Sequence, residues 1–230
     1  MAARKHRRQG GQAVKIVVTG PFAAGKTTLI RTISEITVLS TERGITDETR
    51  SRKNETTVAM DFGRITVDRD LVLYLFGTPG QERFDFMWEI LGEGMLGYVL
   101  LVDSTRPETY TEALGILDAF RTMARVPFVV AVNRAAGLDP AGEERLRQTL
   151  RLDPGVAIVP CHATDKDSVK AVLLALLYSV LDDIEATPLP EGTAGMFVWM
   201  PVTMTRPDGR PFTFFVYHQD YHGPGWSKVM

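Results

Sequence analysis

Cysteine is almost missing from this chain. Cys161 stands alone among 230 residues, so no internal disulfide forms and a reducing compartment is expected. Long apolar runs are missing as well: no stretch approaches the roughly 18 residues of a membrane-spanning helix. The first residues lack the apolar core of a signal peptide, and neither a Met-Gly start nor a C-a-a-X end is found. The expected location is cytoplasmic, at most peripheral at the inner face of the cell membrane. Charge of one sign is scarce. A net charge of −2 argues against a dedicated nucleic-acid binder. Acids are absent before Glu35, while Arg4, Lys5, Arg7 and Arg8 make residues 1–12 basic. That segment reads as a solvated, flexible arm.

Apolar material is plentiful. Hydrophobic residues make up 44% and charged ones 23%, which suits a buried core and excludes global disorder. The most informative stretch is Gly20-Pro21-Phe22-Ala23-Ala24-Gly25-Lys26-Thr27-Thr28. It follows the β-branched run Ala13–Thr19 and leads into Leu29-Ile30-Arg31-Thr32-Ile33. A strand, a G-x-x-x-x-G-K-T loop and a helix start in register form the context of a P-loop. Backbone N–H groups of Ala23, Ala24 and Gly25 would face a phosphate, with the helix N-terminus adding partial positive charge. Gly20 and Gly25 allow a backbone shape that a Cβ would obstruct. Lys26 would reach the β- and γ-phosphates, Thr27 would ligate Mg²⁺, and Thr28 completes the loop. A nucleoside-phosphate-binding chain is expected.

Beyond the first helix, Thr37–Thr57 is polar and reads as a long loop, of the kind that is usually functional or mobile. Strands are then expected at Val58–Val67 and Leu71–Phe76 around an Asp68-Arg69-Asp70 turn. Further strands are expected at Tyr98–Asp103, Pro127–Asn133 and Val156–Val159. Helices are expected near Met87–Leu91, after Pro107, at Pro140–Leu150 and at Val169–Leu181. This alternation predicts an α/β fold with a mostly parallel six-stranded sheet and helices on both faces. The domain should span residues 13–187. Pro188, Pro190 and Gly192 mark a boundary, and residues 188–230 form an aromatic tail with a β-hairpin pattern around Asp208-Gly209.

The P-loop opening Gly20-Pro21-Phe22, the stretch Thr57-Val58-Ala59-Met60-Asp61-Phe62-Gly63, and Gly77-Thr78-Pro79-Gly80-Gln81 resemble the Ras-like small GTPases over about residues 13–184. Within them the likeness is closest to the MglA-like prokaryotic group, particularly the GTPases of actinobacterial conservon operons. The resemblance implies a GTP/GDP switch with Mg²⁺. It implies that Thr57 joins Mg²⁺ and the γ-phosphate, that Gly80 donates its N–H to the γ-phosphate, and that Gln81 orients the attacking water. Together with Lys26, Gln81 is the candidate catalytic residue; Thr27 and Thr57 are the candidate metal ligands. Asn133 and Arg134 fall on the base-reading motif and Ala163 on the last base-contacting loop. Implied partners are a roadblock/LC7-type regulator and a sensor-kinase-like protein.

The sequence departs from the pattern in three places. Gly77 stands where Ras-like proteins usually have an Asp that holds Mg²⁺ through water, so another carboxylate has to serve or metal affinity falls. Phe22 replaces a common glycine and would obstruct an incoming arginine or crowd Gln81, so slow turnover is expected. Arg50 or Arg52 are the candidates for an arginine finger within the chain. In place of N-K-x-D the chain reads Asn133-Arg134-Ala135-Ala136, which lacks the Asp that pairs with guanine; Asp139 is the nearest acid. The expected function is a slow Mg²⁺-dependent GTPase switch. The rival readings are a non-catalytic nucleotide-binding scaffold and a P-loop ATPase.

Overall fold

A computed structural model of the chain describes residues 12–40, 60–68, 71–79, 86–135, 139–186, 199–205 and 211–217. The first strand, β1 (Gln12–Thr19), runs into the loop and then α1 (Lys26–Ile33). A two-residue strand β2 (Leu39–Ser40), β3 (Asp61–Asp68) and β4 (Leu71–Gly77) follow. Then come α2 (Phe86–Gly92), β5 (Gly97–Asp103), a 3₁₀ turn and α3 (Tyr110–Met123). The domain closes with β6 (Phe128–Asn133), α4 (Pro140–Thr149), β7 (Ile158–Cys161) and α5 (Lys166–Ala186).

One sheet carries the domain, in the order β2-β3-β4-β1-β5-β6-β7. Its pairs from β4 to β7 are parallel, whereas β3 and β2 pair antiparallel at one edge. The six longer strands are those expected from the alternation of elements; β2 extends the edge by pairing Leu39 and Ser40 with Phe62 and Asp61. This is the α/β architecture of P-loop nucleoside triphosphatases.

Side chains alternate along each strand and so feed two cores. Val14, Ile16 and Val18 of β1 join Leu29, Ile30 and Ile33 of α1 and the apolar face of α5. Val17, with Tyr98, Leu100 and Val102 of β5, faces Trp88, Leu117 and Phe120. Every residue of β5 is buried, which explains its unbroken apolar sequence. Each fully buried Leu or Ile contributes about 1.5–3 kcal/mol. On the second face, Tyr98 stacks on Phe128 with ring centroids 4.9 Å apart and an interplanar angle of 8°.

Element ends moved where caps decided them. The last helix starts at Lys166 rather than Val169, because the Asp165 carboxylate accepts the Ser168 N–H at 2.6 Å. The strand expected from Val58 begins at Asp61. Apart from Leu39 and Ser40, most of the Thr37–Thr57 loop lies outside the described residues. In the tail, β8 (Trp199–Thr205) pairs antiparallel with β9 (Pro211–Tyr217), the strand pattern that the sequence predicts. Among the described residues no helix is long and apolar enough to cross a membrane.

Candidate functional site

Strand order reverses at β1, whose neighbours are β4 and β5. In open α/β sheets a ligand crevice lies beyond the carboxyl ends of strands at such a switch point. There the chain leaves β1 through Gly20 at φ 141° and enters α1 through Gly25 at φ 107°, with Ala23 also left-handed at 62°. A Cβ on Gly20 would collide with the Leu101 carbonyl oxygen, and one on Gly25 would lie 2.5 Å from Asn133 Nδ2. Both glycines are therefore fixed by close approach as well as by backbone angle. Lys26 is buried, and its Nζ donates to the carbonyls of Gly20 at 2.6 Å and Pro21 at 2.8 Å. The ammonium thus lies across the mouth of the loop.

Beneath the loop is a carboxylate to which the sequence reading gave no role. Thr27 Oγ1 donates to Asp61 Oδ2 at 2.5 Å. Asp61 is the first residue of β3 and pairs directly with Gly77, the last of β4. Its side chain fills the space of the missing one: a Cβ on Gly77 would lie 3.1 Å from Asp61 Cβ and 2.9 Å from Ile30 Cδ1. The acid expected at the end of β4 has moved across one rung of the ladder. Asp61 is only 8% exposed, and its Oδ1 has no hydrogen-bond partner among the described residues. A buried acceptor of this kind, beside a threonine hydroxyl, fits a hydrated cation. Among the described residues no group of three His, Cys, Asp or Glu could hold a metal. Mg²⁺ suits so sparse a set, because it keeps waters and takes phosphate oxygens as ligands. Sequence counting misses this pairing: the register shifts between Thr66 and Asp68, and counting back from the Asp68–Leu71 pair without that shift would set Asp61 opposite Thr78.

Three further strand ends continue the row, with Asp103 opposite Asn133 and Asn133 opposite Cys161. Asn133 ties the loops above them together. Its Nδ2 donates to the Ala24 carbonyl at 2.9 Å, and its Oδ1 accepts the N–H groups of Arg134 at 2.9 Å and Ala163 at 3.1 Å. The N–H of Ala163, the residue expected on the last base-contacting loop, is thus engaged by Asn133. Arg134, at φ 57°, turns its guanidinium onto the buried Asp103 carboxylate. Asp139 is not part of this row as a base reader. Its Oδ1 accepts the Gly142 N–H at 2.6 Å and caps α4.

Phe22 is 55% exposed, and its backbone is held from the α3 side. Its N–H donates to Glu112 Oε1 at 3.3 Å and its carbonyl accepts Arg106 Nη1 at 3.2 Å. Lys15 Nζ donates to the Ile90 and Glu93 carbonyls and so closes the C-terminal end of α2; burial lowers its pKa. Cys161 is buried in the core, and His162 donates its N–H to Ser168 Oγ at 2.9 Å. Thr28 lies exposed on the first turn of α1. Thr57, Gly80, Gln81, Arg50 and Arg52 lie outside the described residues.

A family model described as "Conserved hypothetical ATP binding protein" matches residues 38–183. That span starts after the P-loop and takes in Asp61, Gly77, Asp103, Asn133 and Ala163. The chain is 29% identical over 123 residues to "Uncharacterized protein MJ1339" of Methanocaldococcus jannaschii, covering 53% of this chain and 70% of that protein. It is 25% identical over 183 residues to "Ras-related protein RABA6b" of Arabidopsis thaliana, covering 77% of this chain and 75% of that one. With the P-loop geometry, these matches support nucleotide binding on a P-loop nucleoside triphosphatase fold.

Proposed function

The chain belongs to the family of conserved hypothetical ATP-binding proteins, and from that premise we propose that it is a Mg²⁺-dependent nucleoside triphosphatase switch that takes GTP and turns it over slowly. The observation that carries this reading is the Thr27–Asp61 contact directly under the P-loop. A loop that only held a phosphate would have no use for a buried carboxylate with one oxygen unpartnered among the described residues; a loop that holds a triphosphate with its metal does.

The chain's own residues then divide the work. Gly20, Ala23, Ala24 and Gly25 shape the cradle, and Lys26 neutralises the outer phosphates as a point charge. Thr27 and Asp61 would hold Mg²⁺, joined by Thr57 as the Ras-like resemblance implies. When bound, the ion neutralises charge developing on the β- and γ-oxygens. Gly80 and Gln81 would place the γ-phosphate and the attacking water. The exposed Phe22 ring guards the approach to that phosphate and favours slow turnover. Guanine is preferred in this reading on the likeness to Ras-related proteins, whereas the family description names ATP. The likeness to MglA-like conservon GTPases, with a roadblock/LC7-type regulator and a sensor-kinase-like partner, belongs to the same proposal.

The test is a calorimetric titration of the nucleotide-free chain with GTP, GDP, ATP and ADP, with and without Mg²⁺. Mg²⁺-dependent binding with a clear guanine preference, followed by single-turnover hydrolysis, is expected. Tighter ATP binding would replace GTP with ATP in the proposal. Binding without hydrolysis would make the protein a nucleotide-holding scaffold, and no binding would refute the proposal.

A further inference from the structure

The N-K-x-D motif is broken after Asn133, yet a charged pair occupies the carboxyl ends of β5 and β6. We infer that Arg134, held in place by Asp103, is the base-selecting residue of this protein and reads the O6/N7 edge of guanine. The inference rests on the nucleotide-binding reading above and adds to it the group that chooses the base.

Placement comes first. The P-loop follows β1, and β5, β6 and β7 lie successively to one side of it. In this inference a nucleotide with its phosphates in the loop lays its base over that row, the side on which Asn133 joins the loop to the turns after β6 and β7. Asn133 fixes the row: one side-chain amide binds the loop at Ala24, the following turn at Arg134 and the β7 loop at Ala163. Arg134 stands immediately beyond it, with its carbonyl accepting Ser104 Oγ at 2.7 Å. Its backbone is thus held at the carbonyl by Ser104, just past β5, and at the N–H by the Asn133 side chain.

Charge comes second. The Asp103 side chain is 2% exposed and that of Arg134 is 54% exposed. A carboxylate so buried is retained only when paired and hydrogen-bonded. Asp103 Oδ1 accepts the Thr105 N–H at 3.0 Å and its hydroxyl at 2.7 Å, while Oδ2 takes the guanidinium. Asp103 therefore acts as a positioning residue, orienting a planar fork whose other side faces solvent. A guanidinium carries five N–H donors and no acceptor. Guanine offers two acceptors on one edge, O6 and N7. Adenine offers N7 beside an amino donor, which would oppose an N–H. The Ala163 N–H is engaged by Asn133, and Asp139 caps α4. Among the described residues of the row, Arg134 is the charged donor. A bidentate contact of this type is worth about tenfold to a hundredfold in base discrimination.

The test compares GTP and ATP affinity by calorimetry in the full-length chain and in Arg134→Ala, Arg134→Lys and Asp103→Asn, each checked for folding by circular dichroism. The wild type should prefer GTP by about tenfold or more. Arg134→Ala should bring the ratio close to one by weakening GTP while leaving ATP nearly unchanged. Arg134→Lys keeps the charge but not the fork, so it should also lose selectivity, and Asp103→Asn should lose part of it. A wild-type guanine preference that survives Arg134→Ala overturns the inference while leaving the switch reading intact. Equal binding of both bases, or tighter ATP binding, by the wild type also overturns it. Failure of the wild type to bind any nucleotide overturns both.

Discussion

Replacing Asp61 with Asn isolates the charge beneath the P-loop with little change of shape. Asn keeps a carbonyl that can accept the Thr27 hydroxyl, now at 2.5 Å from Asp61 Oδ2, so the contact survives and the negative charge does not. The effect to estimate is therefore loss of the charge that supports the metal, not of the hydrogen bond. Loss of a group supporting a metal typically costs about 10–100-fold in metal affinity. Asp61→Asn should therefore weaken Mg²⁺-dependent triphosphate binding by about 10–100-fold. Binding measured in excess EDTA should be nearly unchanged. Stability of the nucleotide-free chain should move by less than about 1 kcal/mol, because a buried carboxylate oxygen with no hydrogen-bond partner among the described residues is exchanged for a neutral amide. The assay is displacement of a fluorescent nucleotide at fixed free Mg²⁺ and again in EDTA. Returning an acid to position 77 gives a second arm. A Cβ at that position would approach Ile30 Cδ1 to 2.9 Å, so Gly77→Asp should not rescue Asp61→Asn. Equal losses with and without Mg²⁺ would show Asp61 to be a packing residue, and no loss in either condition would refute its role entirely.

Asp139→Ala should cost about 1 kcal/mol by removing the α4 cap, read as a shift in urea midpoint, and leave the GTP-to-ATP affinity ratio unchanged. A collapsed ratio would return Asp139 to the base site. Tyr98→Phe should be neutral or stabilising by up to about 1 kcal/mol. The Tyr98 hydroxyl is buried with no partner among the described residues, and the stacking on Phe128 is kept. Burial also raises the Tyr98 phenol above its ordinary 10.0. The folded state then keeps a proton that the unfolded chain releases, so stability is complete below the unfolded value and falls as pH rises beyond it. The Cys161 thiol, pushed up by burial from 9.0 to about 11, adds a loss of the same sign that starts above pH 9. In a Cys161→Ala background, urea unfolding at about pH 8 and about pH 11 should show that loss with Tyr98 present, and the added Tyr98→Phe substitution should remove it. An equally steep fall in both chains would refute the assignment to Tyr98.

What the sequence determined by itself was whatever depends on neighbours along the chain. The P-loop is local: spacing, glycines and the strand–helix switch all lie between Ala13 and Ile33, and Gly20 and Gly25 take the positive φ that the loop needs. The parallel sheet was legible for a related reason. Strands buried on both faces, such as β5, read as unbroken apolar runs. Helix boundaries were less so, because a cap such as Asp165 depends on one side chain choosing a backbone N–H.

Tertiary structure decided what pairs across strands. Gly77 read as a lost acid; only the β3–β4 register shows Asp61 opposite it, with a carboxylate reaching Thr27. Arg134 read as part of a base-reading motif that lacks its Asp; only the alignment of β5 with β6 places it on Asp103, distant in sequence and adjacent in the sheet. Ala163 read as part of the last base-contacting loop, and only the fold shows its N–H on Asn133 Oδ1. Backbone hydrogen bonding sets these neighbours, because a strand brings beside its own residues whichever residues share its rung. The chemistry of the loop is written in consecutive residues, and the charges that complete it are written across the sheet.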